Sequence, residues 1–173
     1  RAGVAASYHQ LGILAQDRGD YAEAERRYRQ SLAISEELGN RAGVAASYHQ
    51  LGILAQDRGD YAEAERRYRQ SLSIDEELGN RTGTASSISQ LGTLRTETGE
   101  FTEAVAFHCQ ALAIRLGIGI PQAGFDIARL RDLRRNLGEH RFCDAVTAIL
   151  DEQSLQALTD LLDEPESPER DGT

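Results

Sequence analysis

Several residue types that can do chemistry recur in this chain at a spacing of 40 residues. His9 and His49 could ligate a metal through neutral imidazole nitrogens. No acid stands at ligand spacing beside them, the HExxH order is absent, and the third such position is Ser89, so no metal is expected. His108 and Cys109 are neighbours on a helical stretch, where adjacent side chains diverge by about 100° and cannot readily share one ion. Ser7, Ser31 and Ser35 lack an oxyanion loop or a GxSxG elbow, and no phosphate-cradling glycine loop follows a strand. Neither catalysis nor a cofactor is expected. Arg26, Arg27 and Arg29 alternate with Glu23 and Glu25, and Arg66, Arg67 and Arg69 with Glu63 and Glu65. Such mixed charge at helical spacing reads as a solvated face, and a nucleic-acid partner would want a basic excess with stacking aromatics. Gln10, Gln50 and Gln90 remain, each offering a donor and an acceptor at the same register.

The elements that hold these residues must fit within 173 residues, of which 40% are hydrophobic and only 6% aromatic. A compact chain near this length buries roughly 70% of its unfolded surface, so a core is feasible. Cys109 and Cys143 stand outside any CxxC spacing, which excludes a disulfide scaffold and leaves packed or idle thiols. No run of 18 apolar residues occurs, and the first residues lack the order of a signal peptide, so a cytoplasmic protein without a membrane partner is expected. The chain has no Met and begins inside its own repeating pattern, which reads as a piece of a longer protein. The net charge of −9 is uneven: residues 1–150 carry 18 Arg against 20 acids, whereas residues 151–173 carry one Arg against eight. The acidity therefore says nothing about a basic partner for the main body. All basic residues are Arg, a bias that codon usage in a GC-rich genome would explain.

Self-comparison organises the chain. Residues 1–40 recur as 41–80 with two changes, Ala33 to Ser73 and Ser35 to Asp75. A diverged copy over 81–120 keeps Leu91, Gly92, Gly99, Phe101, Ala104 and Ala111 to Ile114 in register. A degraded fourth copy runs over 121–162 through Leu130, Gly138, Phe142 and Ala145, with two extra residues in its turn, and 163–173 reads as a disordered acidic tail. Within each copy, apolar residues fall at helical spacing in two stretches, such as Val4, Ala5, Tyr8, Leu11 and Ala15, then Tyr21, Ala24, Tyr28, Leu32 and Ile34. Gly19 and Gly39 supply helix stops and Asp20 an N-cap. Each copy is thus a helix-turn-helix pair, with about seven or eight helices in all. Gly12, Gly52 and Gly92 fall in mid-helix, where Gly costs about 1 kcal/mol, and this implies close approach of a neighbouring helix. Tyr8, Tyr21 and Tyr28 are expected to fill the space between pairs, and His108, in the place of Tyr28, to be a partly buried packing residue.

The string Tyr8-x-x-Leu11-Gly12, Gly19-Asp20-Tyr21-x-x-Ala24, Tyr28-x-x-Ser31-Leu32 resembles the tetratricopeptide repeat, and it recurs three times. The usual terminal Pro is missing, and each unit is six residues longer than the 34-residue form. The 40-residue form is similar to repeats of Gα-binding spindle-orientation adaptors, of kinesin light chain and of arrays attached to bacterial signalling ATPases of the NB-ARC type. The resemblance implies an all-α, right-handed α-solenoid of stacked helix-turn-helix repeats, with the first helix of each pair lining a concave groove.

On that placement the inward residues are His9, Gln10, Ile13, Gln16 and Asp17, then His49, Gln50, Ile53, Gln56 and Asp57, then Ser89, Gln90, Thr93 and Glu97. Ala6, Ala46, Ser86 and Thr96 share the face. The three glutamines would form a ladder suited to a peptide backbone. A protein or peptide partner is expected, within a bacterial regulatory or signalling protein; a structural spacer, or a sensor domain for an attached NTPase, are the alternatives. In the fourth copy Arg131, Arg134, Arg135 and Arg141 are expected to give the last unit a polar outer face, and Phe142 to Leu162 to form one long or two broken helices. At the other end the apolar side of the first helix has no pair to stack on, so self-association through this N-terminal face is expected.

Overall fold

The computed structural model describes residues 2–120 and 123–164. Three helix pairs come first: α1 (Ala2–Asp17) with α2 (Tyr21–Glu37), α3 (Arg41–Asp57) with α4 (Tyr61–Glu77), and α5 (Arg81–Glu97) with α6 (Phe101–Ile118). Three further helices follow, α7 (Ala123–Leu137), α8 (Glu139–Thr147) and α9 (Glu152–Asp163). No strand occurs among the described residues.

Local chemistry sets the pairs. Gly19 leaves α1 with φ of 74°, a left-handed conformation that closes the helix end without a Cβ clash. Asp20 then accepts a hydrogen bond from the Glu23 backbone N–H at 3.1 Å and opens α2. Asn40 does the same for α3, accepting from the Gly43 N–H at 3.1 Å. Because both signals recur every 40 residues, so do the pairs.

Successive pairs stack through shared clusters. Ala15, Ala24 and Tyr28 of the first copy bury themselves with Leu51 and Leu54 of the second, and Ala55, Ala64 and Tyr68 do so with Leu91 and Leu94 of the third. The mid-helix glycines make this possible: a Cβ on Gly12 would lie 2.5 Å from the Tyr28 ring, and one on Gly52 would lie 2.6 Å from Tyr68. The odd-numbered helices α1, α3, α5 and α7 touch in sequence, whereas α2 and α4, or α4 and α6, do not. The chain therefore curves with the first helices of each pair on the inside.

Several expectations change. Nine helices are present among the described residues, because the stretch after Gly138 breaks into α8 and α9 around 148–151. The turn between α7 and α8 is Gly138 alone, and the two extra residues of this copy lie in the first turn of α8 ahead of Phe142. Tyr21 and Tyr61 remain 37% and 38% exposed and do not fill the space between pairs; Tyr28 and Tyr68 do. His108 is fully buried. Of the fourth-copy arginines, Arg135 and Arg141 are exposed, whereas Arg131 and Arg134 act as a clamp. Arg131 donates to the backbone carbonyls of Leu162 and Glu164, and Arg134 bridges Glu139 and Asp163. Together they hold α9 against α7 over a cluster that includes Leu130, Leu133, Phe142, Val146, Leu158 and Leu162. Residues 165–173, most of the acidic tail, lie outside the described residues.

Candidate functional site

The inner face consists of α1, α3 and α5, and the fourteen sequence-selected residues on these helices differ in what they touch. Gln10 is exposed, Gln50 and Gln90 are half-buried, and none of the three makes a hydrogen bond within the described residues. Ile13, Ile53 and Thr93 are half-buried beside them, with the Thr93 hydroxyl returned to the Ser89 carbonyl at 3.2 Å. Asp17 is exposed at the end of α1.

A second group is committed to stitching one copy to the next. Gln16 donates to Asp57 at 2.7 Å, and one period later Gln56 donates to Glu97 at 2.9 Å. The same amides accept from below, with Tyr28 Oη at 2.8 Å from Gln16 Oε1 and Tyr68 Oη at 2.7 Å from Gln56 Oε1. Burial pushes the Tyr28 phenol up to about 12, so this donor keeps its proton. Each ladder of tyrosine, glutamine and carboxylate links three helices, which no single repeat contains.

His9 and His49 lean on Tyr28 and Tyr68, with ring centroids 5.7 Å apart in both cases. His49 Nδ1 lies 3.4 Å from Ser87 Oγ. Burial, aided by His9, pushes the His49 imidazole down to about 4, so it is neutral in the groove near pH 7. The unfolded imidazole binds a proton near pH 6.5 and the folded one only near 4, so this term destabilises the fold as pH falls through that window. By pH 5 it should amount to about 2 kcal/mol. Urea titrations at pH 7.5 and 5.0 check this. The His49→Gln variant should lose less stability between the two pH values than the parent, and equal losses would contradict the assignment.

Ser89 belongs to a third arrangement that the sequence did not bring into view. It is buried and donates to Asp126 Oδ1 at 2.7 Å; His108 Nδ1 meets the same oxygen at 2.9 Å, and Arg115 pairs with Oδ2. Asp126 comes from α7, so the cluster joins the third pair to the C-terminal helices. Serine, histidine and aspartate here do not form a nucleophile relay: serine and histidine both address the aspartate, and all are sealed from solvent. His108 Nε2 and Arg115 Nε find no partner, which marks a costly, tightly confined site. The signal was in the register. With Leu130 and Gly138 in the places of Leu91 and Gly99, Asp126 occupies that of the buried Ser47 and Ser87, and Arg115 that of Ser35 and Asp75.

On the outer face Glu23 holds Arg26 and Arg27, Glu63 holds Arg66 and Arg67, and Glu25 reaches Arg58 of the next copy at 2.7 Å. Among the described residues no group of three or more His, Cys, Asp or Glu could hold a metal ion, and no helix is long and apolar enough to cross a membrane.

A family model described as Tetratricopeptide repeat matches residues 3–77 and 44–116. No curated protein matches the chain. Among solved structures, BtubC (BKLC) from P. vanneervenii is similar, with a TM-score of 0.70 and 21% identity over 98% of this chain and 68% of that one. A Podosopora anserina chain of nearly identical TPR-like repeats, described as a kinesin light chain, has a TM-score of 0.60 and 20% identity over 94% of both. Both likenesses are of fold.

Proposed function

From the premise that the chain belongs to the tetratricopeptide repeat family, we propose that its concave face binds an extended peptide or a helix of another protein. Repeats of this family mediate protein–protein interaction and typically serve as non-enzymatic scaffolds. The observation that supports the finer reading is the amide ladder: Gln10, Gln50 and Gln90 recur at one register of α1, α3 and α5, and their side-chain amides have no hydrogen-bond partner within the described residues. Each presents a donor and an acceptor to a ligand backbone, while the adjacent glutamines are occupied in holding the copies together. Near-perfect duplication and exclusive use of Arg support a cytoplasmic setting in a bacterial regulatory or signalling protein, where the array would act as adaptor or as sensor for an attached NTPase.

Selection of extended peptides from a displayed random library, repeated with the double variant His49→Ala and Gln50→Ala, tests the groove. Enrichment should fall at least about tenfold, the equivalent of one or two lost hydrogen bonds. Unchanged enrichment would favour a passive spacer whose copy number matters more than its surface.

Self-association is a second reading, supported by one observation. Val4, Leu11 and Leu14 of α1 are exposed, whereas their duplicates Val44, Leu51 and Leu54 are buried. A second copy of the chain would cover this stripe. Sedimentation velocity at micromolar concentration should show a dimer that Leu11→Ser disperses, and a monomer throughout would end this reading.

A further inference from the structure

The two near-identical copies differ in the groove wall at one position, Ser35 against Asp75, and the difference sits in a cavity. Between the second and third pairs a cavity of about 220 Å³ is lined by His9, Ala46, His49, Gln50, Asp75 and Ser86. Asp75 comes from α4 and is only 4% exposed. Asn80 Nδ2 donates to its Oδ1 at 2.7 Å, and Ser71 Oγ lies 3.4 Å from Oδ2. No basic side chain of the described residues pairs with it, although a carboxylate has about four acceptor positions to fill. Gly83 leaves the room: a Cβ there would collide with the Asp75 carboxylate.

The next junction shows how the same two positions close when both carry charge. In the next copy, where Leu130 and Gly138 stand for Leu91 and Gly99, Arg115 replaces Asp75 and Asp126 replaces the buried Ser87, and the pair forms a buried ion bridge. At the Asp75 junction the counterpart of Asp126 is the neutral Ser87, whose hydroxyl meets His49, Ser86 on the cavity wall is neutral too, and burial lowers the pKa of the neighbouring His9 and His49 imidazoles. Burial raises the pKa of the Asp75 carboxyl against the hydrogen bonds from Asn80 and Ser71, and a cation arriving from outside would favour its charged form.

The geometry points to a specificity pocket in the groove in which Asp75 receives the cationic end of a lysine or arginine side chain from a bound peptide. Asn80 and Ser71 hold the carboxylate in place, and the Gln50 amide stands beside it to take the peptide backbone. The pocket rests on the groove reading above and adds to it the chemistry of one ligand position.

The test uses blocked pentapeptides, Ala-Ala-Xaa-Ala-Ala with Lys, Arg, Gln or Glu at the centre, and separately methylguanidinium chloride as a probe of the pocket alone. Titrations are followed by amide NMR shifts in the parent and in Asp75→Ser. That variant restores the residue of the first copy, so folding is expected to survive, and circular dichroism checks it. The Lys and Arg peptides should bind about tenfold tighter than the Gln and Glu peptides, with shifts centred on Ser71, Asp75, Gly83 and Ser86. In Asp75→Ser the preference should fall below about twofold. Equal binding of all four peptides would overturn the pocket and leave the groove standing. Shifts with methylguanidinium but with no peptide would support the pocket and remove the groove reading. No response to either probe would overturn both.

Discussion

Replacing Asp126 by alanine should cost about 3–5 kcal/mol of stability, because it strands a buried guanidinium. Asp126 is fully enclosed and receives Ser89, His108 and Arg115 together, and Arg115 is only marginally exposed. Removing the carboxylate leaves a desolvated cation and two polar groups facing a cavity, and Arg115 Nε is already without a partner. Urea unfolding reads the loss directly. The double variant Arg115→Leu with Asp126→Leu should recover part of it, since no unpaired charge remains, while Ser89 and His108 still lose Asp126 as a partner. A single-variant loss below about 1 kcal/mol would mean that water reaches the site. The cluster also explains how the regular array is joined to its irregular end: the ion pair crosses from α6 to α7, at the place where the sequence repeat fades.

Much of this architecture is legible in the sequence, and the reasons are physical. The glycine stops, the Asp20 cap and the 40-residue period are plain signals, and each appears in the structure at its place, whereas the Asn40 cap of α3 came only with the structure. Gly12 and Gly52 announced close approach, and the atoms they make room for are the rings of Tyr28 and Tyr68. What a single sequence does not separate is a polar side chain that faces solvent from one that faces the next copy. Gln16 and Asp57 share a face with Gln10 and Gln50, yet they are consumed by a bond across the stack. Tyr21 matches the repeat signature as well as Tyr28 does, yet it lies at the first position of its helix, outside the packed seam. The charges at 75, 115 and 126 were visible only as departures from the repeat. Reading them as a pair requires knowing that α6 meets α7.

Leu54→Ala should destabilise the chain by about 2–4 kcal/mol, whereas Leu14→Ala, the same change in the same local sequence, should cost less than about 0.5. Residues Ala2–Asp17 and Ala42–Asp57 are identical, so helix propensity and the following Gly19 and Gly59 stops match at the two sites, and the Asn40 N-cap of α3 lies more than three turns away from Leu54. Only the neighbourhood differs. Leu54 is 2% exposed, packed with Ala24 and Tyr28 of the first copy, while Leu14 is 49% exposed. The difference between the two variants therefore measures what stacking one repeat upon another contributes at a single side chain, free of intrinsic helix effects. Concentration sharpens the comparison. In a monomer the small cost of Leu14→Ala is the same at 1 and 100 µM; if copies of the chain cover the α1 face, the cost grows with concentration, because folding is then linked to association. Equal losses at both leucines under dilute conditions would contradict the stacking order, since they would require Leu14 to be buried by some other part of the chain.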